Sequence, residues 1–469
     1  MNSTCNTAAS WGDLLSSRNA LRSIALTGGV ALHAINVHIV TTILPSVVRE
    51  IGGLEYYAWN TTLFVVASIL GSALTARLLD ALTPRMAYLS ALAIFTFGAA
   101  SCAAAPTMIW MLLGRSVQGL GGGMLAALSY ALIHVVFEQR LWARAVALVS
   151  GMWGVATLFG PAVGGLFAES GNWRLAFWIL LPISAVQALI VATQLTNHKA
   201  KGREAIRVPM GKILLLATSA LAIAAAALVP QTIWKVAGVA VGLALGIAVA
   251  RLDSRSRVRL LPTGSYSLHS QLGKIFACVC LLTIGTTTEI FVPYFLQVIH
   301  GHPPLVAGYM TAAMAAGWSV ASVVGSGRSD MAASRMVRTG PLVMTLSLGL
   351  LALILPATWQ LPMLAESLLI TLALAGAGLG VGLGWPHLLT RALKSAPTGE
   401  ENLASASITT VQLYAMAIGA AMAGLAVNAA GLSQPGGMEG AQHAASYLFA
   451  TFALAPALAI FLARGFART

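Results

Sequence analysis

Two ionisable side chains stand in stretches where water should be scarce. Arg115 lies in LLGRSVQGLGGG, inside a run with no other charge until Glu138. Glu289 lies in KIFACVCLLTIGTTTEIFVPYFLQVI and is the carboxylate placed near the centre of an apolar segment. A lone arginine in such a segment costs about 2.5–3.5 kcal/mol on insertion scales. It must therefore meet a carboxylate, a carbonyl or water in a cavity. Its role is either to control a neighbouring proton or bind an anion, or to clamp carbonyls of the first apolar segment. A carboxyl hidden from bulk water can take up a proton on one side and release it on the other; otherwise it is paired with a neighbouring Ser or Thr. Pro293, four residues on, cannot donate to the carbonyl of residue 289 and is expected to kink the segment there. Gln297 is read on that face too. Gln118 lies one turn beyond Arg115 on the same side. His33 and Asn36 are three apart on one face of the first segment, and His33 is a second candidate proton carrier. The alternative is a histidine bonded to its neighbours. His38 is expected to point elsewhere.

The elements that hold these residues follow from composition. Of 469 residues, 58% are hydrophobic and 9% charged. So few charges do not cover the surface of a soluble domain. Apolar runs of about 20 residues recur along the chain, each long enough to cross a bilayer core. The ten-residue alternation of an outer-membrane barrel is absent. The class is an all-α polytopic membrane protein. The formal charge of +13 would suggest nucleic acid in a soluble protein, but here the basic residues fall between apolar spans and report topology. Cys102, Cys278 and Cys280 lie in apolar segments and act as small hydrophobes; with Cys5, no disulfide and no zinc-type pair is expected. The N-terminus lacks a cleavable-signal pattern, so the first span is expected to be an uncleaved anchor.

Spans are read near 23–45, 57–79, 86–105, 108–134, 145–168, 174–195, 212–229, 233–250, 273–299, 305–326, 340–357, 362–386, 403–429 and 444–464, about fourteen in all. Alternate loops then collect the basic residues: Arg77 and Arg85, Arg140 and Arg144, Lys199 to Lys212, Arg251 to Arg259, Arg328 to Arg338, Arg391 and Lys394, with Arg18, Arg22, Arg464 and Arg468 at the ends. The opposite loops hold little beyond Arg49, Arg174 and Lys235. That asymmetry places both termini in the cytoplasm, in the inner membrane. The pair at 212–250 is plain, LLLATSALAIAAAALV and VAGVAVGLALGIAVA, and is bracketed by basic loops. We read it as a hairpin inserted between two six-helix bundles: residues 1–195, a linker-and-hairpin unit at 196–262, and residues 263–469.

An internal repeat supports the division. ARLLDALTPR, with Asp80 and Arg85, is echoed by SGRSDMAASR, with Asp330 and Arg335. QGLGGG at 118–123 is echoed by AGLGVG at 377–382. Similar offsets of about 250 and 260 residues favour duplicated halves.

Four patches resemble the major facilitator superfamily, and within it the fourteen-span drug:proton antiporter family. They are NVHIVTTILPSVVREIGG at the end of span one, the loop ARLLDALTPR, GRSVQG in span four and GMWGVATLFGPAVGG in span five; FVPYFLQVIHGHPPLVAG in the second half is also similar. The resemblance covers essentially the whole chain. It implies alternating access between two bundles, with proton coupling through Arg115, Glu289, His33 and the Asn36 position. That family usually has an acid where Asn36 stands, and glycines where Ala76 and Thr83 stand. The resemblance further implies an antiporter motif of Gly151, Gly154, Gly160, Pro161, Gly164 and Gly165 that seals the two halves. Small residues let helix backbones approach closely. It implies a cytoplasmic latch of Asp80 and Arg85, repeated by Asp330 and Arg335. Gln118, Phe291, Tyr294, Gln297, Trp153, Trp318 and Tyr414, with Trp385, are candidates to line a substrate cavity. Gly376, Gly380 and Gly384 are read as packing.

The expected function is proton-coupled export of drug-like or other small organic molecules. The alternative is export of a specific anionic metabolite, such as a carboxylate or siderophore, held by Arg115. A membrane sensor that moves nothing finds no signalling domain in such short loops. No GxxxxGK[ST], HExxH or GxSxG occurs, so neither ATP-driven transport nor an enzyme is expected. No cofactor or metal is expected, although His300 and His302 flank a glycine in an outer loop. The partners are a small-molecule substrate, protons and the lipid bilayer, with no nucleic acid, and the chain is expected to act as a monomer.

Overall fold

The computed structural model describes residues 11–197, 208–326, 328–358 and 362–466. Lys199, Lys201, Arg203 and Arg207 of the first basic linker, with Cys5 and Arg468, lie outside the described residues. The long helices are α1 (Ser17–Ile51), α2 (Trp59–Ala81), α3 (Pro84–Ala103), α4 (Met108–Ala131), α5 (Trp142–Glu169), α6 (Leu180–Gln194), α7 (Met210–Ala226) and α8 (Thr232–Ser254). They continue with α9 (Gln271–Thr286), α10 (Pro304–Gly325), α11 (Asp330–Ile354), α12 (Met363–Lys394), α13 (Glu401–Ala429), α14 (Gly437–Phe452) and α15 (Leu454–Phe466). Among the described residues, twelve helical stretches are long and apolar enough to cross a membrane. α4, diluted by Arg115 and its polar neighbours, and α7, at 17 residues, are helices at expected positions but fall outside those twelve.

The loops sort onto two faces, as their contacts show. On one face the Asp13 carboxylate meets Arg140, 3.6 Å away, Thr83 donates to Asn197, Arg391 donates to Ser334 and Arg259 lies 3.7 Å from Glu400. On the other face Arg174 pairs with Glu50 and donates to the carbonyl of Ala105, while Asn428 donates to the carbonyls of Glu55 and Ala227. The first face gathers the basic loops.

Helices α1 to α6 pack among themselves, and α9 to α15 do likewise. The repeat read from the sequence has a packing counterpart. α4 lies against α2 and α3, as α12 lies against α10 and α11. The reason is the paired glycine runs. A Cβ on Gly119 would fall 2.3 Å from the carbonyl oxygen of Phe64, and one on Gly378 only 1.8 Å from that of Met314. In both groups the missing side chain admits a neighbouring backbone. α7 and α8 pair with each other, and α7 also touches both α2 and α13.

α9 is broken where its sequence says it should be. A 3₁₀ turn, Thr287–Phe291, follows it, and a short helix, Val292–Val298, begins with Pro293 in its first turn. Pro293 removes a backbone donor. The carbonyl of Glu289 accepts from the Val292 N–H instead, and the hydroxyls of Thr286, Thr287 and Thr288 donate to the carbonyls of Thr283, Ile284 and Gly285 in the last turn before it. This turn carries Glu289.

Candidate functional site

Arg115 is 2% exposed and is satisfied from several sides. Its Nη1 donates to Gln118 Oε1 at 2.6 Å, and its Nε to the carbonyl of Asn60 at 3.4 Å. Its guanidinium lies 4.0 Å from the centre of the Phe64 ring, a cation–π contact. Gln118 Nε2 then donates to Asn36 Oδ1 at 3.0 Å. The i, i+3 spacing of Arg115 and Gln118 makes their bond possible, and the chain ends on α1. The structure therefore joins three helices, α1, α2 and α4, through Arg115, Gln118, Asn36 and the backbone of Asn60. The carbonyl clamp is real, but it comes from α2 rather than α1.

His33 belongs to the same neighbourhood. Its ring stacks on Phe64 at 5.3 Å and meets Trp153 edge-on at 6.0 Å. Three buried polar atoms around this chain lack partners among the described residues: His33 Nδ1, Asn36 Nδ2 and Asn60 Oδ1. Leaving such atoms unpaired costs about 1–3 kcal/mol each, so these atoms suit a water or a polar group as partner.

Glu289 stands apart from that chain. It faces a small cavity, about 10 Å³, lined by His38, Thr41, Thr42, Pro161, Gly308, Thr311, Ala312 and Ala315. Residues of α1, α5, α10 and the turn after α9 thus line one space between the two groups of helices. Just beyond it, the Phe291 ring stacks on Tyr57 at 4.9 Å, and Tyr294 meets Tyr57 edge-on at 5.6 Å. Tyr57 is fully buried, and its hydroxyl, with both amide atoms of Gln297, has no partner among the described residues.

Other candidates are dispersed. Trp318 and Trp385 pack on each other at 4.8 Å within the second group. Tyr414 shares a 2.7 Å hydrogen bond with Ser219 of α7. Trp153 remains 41% exposed. These do not join Phe291 and Tyr294 around one cavity. Among the described residues no ion pair joins Asp80 to Arg85 or Asp330 to Arg335; the Arg85 amide donates to the carbonyl of Thr196, and Arg335 reaches the sulfur of Met331.

The glycines of α5 divide by position. A Cβ on Gly160 would fall 2.4 Å from His38 Cβ, one on Gly164 2.9 Å from the carbonyl oxygen of Ile39, and one on Gly165 2.5 Å from Leu305 Cα. At Gly151 and Gly154 a Cβ would meet nothing within 4 Å. The described hydrogen bonds between the helix groups lie at the packed end: Leu305 N–H to Glu169, Tyr309 to the carbonyl of Leu158, and Asn428 to that of Glu55. The groups are joined on the sparsely charged face.

The Major Facilitator Superfamily matches residues 26–420. The chain belongs to the Major Facilitator Superfamily. It is a membrane transporter and not an enzyme. A protein of Mycobacterium tuberculosis described as a "probable multidrug-efflux transporter" is 38% identical over 439 residues, covering 92% of each chain. The "multidrug transporter protein MdtP" of Bacillus subtilis is 25% identical over 319 residues, 66% of this chain and 58% of that one. Among solved structures, a peptide transporter crystallised with sulfate aligns with a TM-score of 0.69 at 13% identity, covering 98% of this chain and 97% of that one. A bacterial homologue of the human lysosomal transporter Spinster gives 0.66 at 13%, covering 96% and 97%. At such identities these structures speak for the fold of this superfamily member alone.

Sequence reasoning missed three participants, Tyr57, Phe64 and Asp253, and turned His38 away from His33 and Asn36 without giving it a partner. Phe64 and Tyr57 carry no motif. Asp253, fully buried at the end of α8, was hidden in a basic stretch, RLDSRSR. It accepts from Lys212 Nζ at 2.7 Å, Leu260 N at 2.7 Å, Leu261 N at 3.1 Å and the Tyr266 hydroxyl at 3.0 Å. A carboxylate between two basic loops was the available signal.

Proposed function

We propose that the protein is a proton-coupled exporter of drug-like or other small organic molecules, working by alternating access. The observation that carries the reading is the place of Glu289, an ionisable group in a space closed by both groups of helices. A proton bound there is bound where the groups meet. Entry of each proton would supply about 2.3 kcal/mol per 100 mV of membrane potential. The efflux names of relatives, 38% and 25% identical, support the cargo class.

In this reading the chain crosses the inner membrane fourteen times, as in the drug:proton antiporter family. Residues 1–195 and 263–469 are six-helix bundles, and α7 with α8 is the hairpin between them. α4 and α7 count as crossings because each is a helix between loops on opposite faces. The basic face is cytoplasmic, with both termini, and one chain suffices. The helix groups then meet on the outer side, which agrees with the lack of an Asp80–Arg85 or Asp330–Arg335 ion pair among the described residues.

Export of an anion held by Arg115 is the less favoured reading. Its guanidinium is buried and already engaged by Gln118, Asn60 and Phe64.

The test is transport by the purified protein in liposomes under an imposed pH gradient, with a panel of neutral, anionic and cationic drugs. Gradient-driven flux should appear with wild type and vanish in Glu289→Gln. Flux of the same size in Glu289→Gln would refute the coupling assignment. An absence of flux for every panel member would refute drug export.

A further inference from the structure

His38 lies two residues past Asn36 on α1, on a face that the helical wheel turns away from Asn36. The structure puts it on the lining of the same small cavity as Glu289. The two residues come from different helix groups, His38 from α1 and Glu289 from the turn after α9.

The rest of the lining narrows the chemistry. Thr41 donates its hydroxyl hydrogen to the carbonyl of Val37, Thr42 to that of His38, and Thr311 to that of Ala307. Each hydroxyl has a single hydrogen, so these three offer only lone pairs to the cavity. His38 is therefore the lining side chain able to donate a hydrogen toward the Glu289 carboxylate. The space of about 10 Å³ is about what one water needs. Among the described residues neither His38 nor Glu289 has a side-chain hydrogen-bond partner.

Other titratable groups nearby face elsewhere. On α10, Tyr309 donates to the carbonyl of Leu158. Tyr294 turns to Tyr57, and His33 stacks on Phe64. On α13, Tyr414 bonds to Ser219, and Glu401 is exposed. On α14, Glu439, His443 and Tyr447 are exposed. α5 contributes only Pro161 to the lining.

We propose that His38 and Glu289 form one proton-binding site divided between the two helix groups, with His38 relaying the proton to and from Glu289. This rests on the proton-coupled reading above. A proton from bulk water binds the imidazole; the imidazolium then passes one proton, through a water, to the carboxylate. The products are a neutral imidazole and a neutral acid, and nothing is oxidised or reduced. Because one partner stands on each group, the pair exists only while the groups are closed over the cavity. Proton occupancy is thereby tied to which face is shut.

The test needs no cargo. Infrared difference spectra of the purified full-length chain, titrated with pH, should show a protonated-carboxyl band that Glu289→Gln deletes. His38→Gln and His38→Asn, checked for folding by circular dichroism and gel filtration, should displace the midpoint of that band by about tenfold or more in proton concentration. The double variant His38→Gln with Glu289→Gln should match Glu289→Gln alone. If the band survives in Glu289→Gln, the coupling role of Glu289 fails and the pair fails with it. If the band is lost there but its midpoint is unmoved in both His38 variants, only the pairing is overturned.

Discussion

Asn36 is where α1 joins the hydrogen-bonded chain that runs from Arg115. Its side chain accepts from Gln118, which in turn accepts from Arg115. An aspartate at 36 offers the same acceptor, whereas leucine offers none. Asn36→Asp is expected to keep the wild-type unfolding temperature in detergent, and Asn36→Leu to lower it, through about 1–3 kcal/mol for the orphaned Gln118 donor. Equal melting of the two variants would show that the chain of bonds contributes nothing. Arg115→Lys should fail to restore transport lost in Arg115→Ala, because a point-like ammonium cannot serve Gln118, the Asn60 carbonyl and the Phe64 face together.

At the scale of elements, α5 is packed at one end and open at the other. Gly160→Val is expected to push α1 away and to impair both folding and flux, since Gly160 abuts His38. Gly151→Val should leave the melting temperature unchanged and still slow transport, because its open side must close in the opposite conformation. Unchanged turnover in Gly151→Val would argue against such closure. The hairpin makes a second case. Asp253→Ala leaves Lys212 and the Leu260 and Leu261 amides without their shared acceptor. Breaking a buried pair of this kind costs about 3–5 kcal/mol, and proteolysis should cut the 255–270 segment faster. The next tie responds to acid. Glu400 accepts from the Thr263 backbone N–H at 2.6 Å and its hydroxyl at 2.8 Å. These bonds, the backbone one first, hold its carboxyl below the usual glutamate range, with Arg259 adding to them and burial opposing. A depressed carboxyl stabilises the fold above its unfolded value of about 4.3. That contribution fades as pH falls through the lower folded value. The 259–263 to 400 contact should therefore persist at neutral pH and loosen only under acid, as hydrogen exchange at Thr263 would report.

For the whole molecule, the proposed alternating access requires the sparsely charged face to open. Gly165 and Leu305 meet there, with a Cβ on Gly165 about 2.9 Å from that of Leu305. A disulfide needs about 3.5–4.5 Å between such atoms, so slight movement lets Gly165→Cys and Leu305→Cys bond. Oxidation of that double variant is expected to stop transport, and reduction to restore it. Full transport by the cross-linked form would exclude opening at this face.

The positions of the helices, the sorting of basic residues to one face and the break near Glu289 were readable from the chain alone. Each depends on neighbours in sequence: apolar run length, loop charge and a proline without an N–H. The echo of QGLGGG in AGLGVG likewise announced matching close approaches. What the tertiary structure alone decided is who faces whom. His38 meets Glu289 across the helix groups, Tyr57 stacks on Phe291, and Trp318 turns to Trp385. Helical periodicity names the face a side chain occupies, but crossing angles and distant segments choose the partner, and no local pattern encodes them.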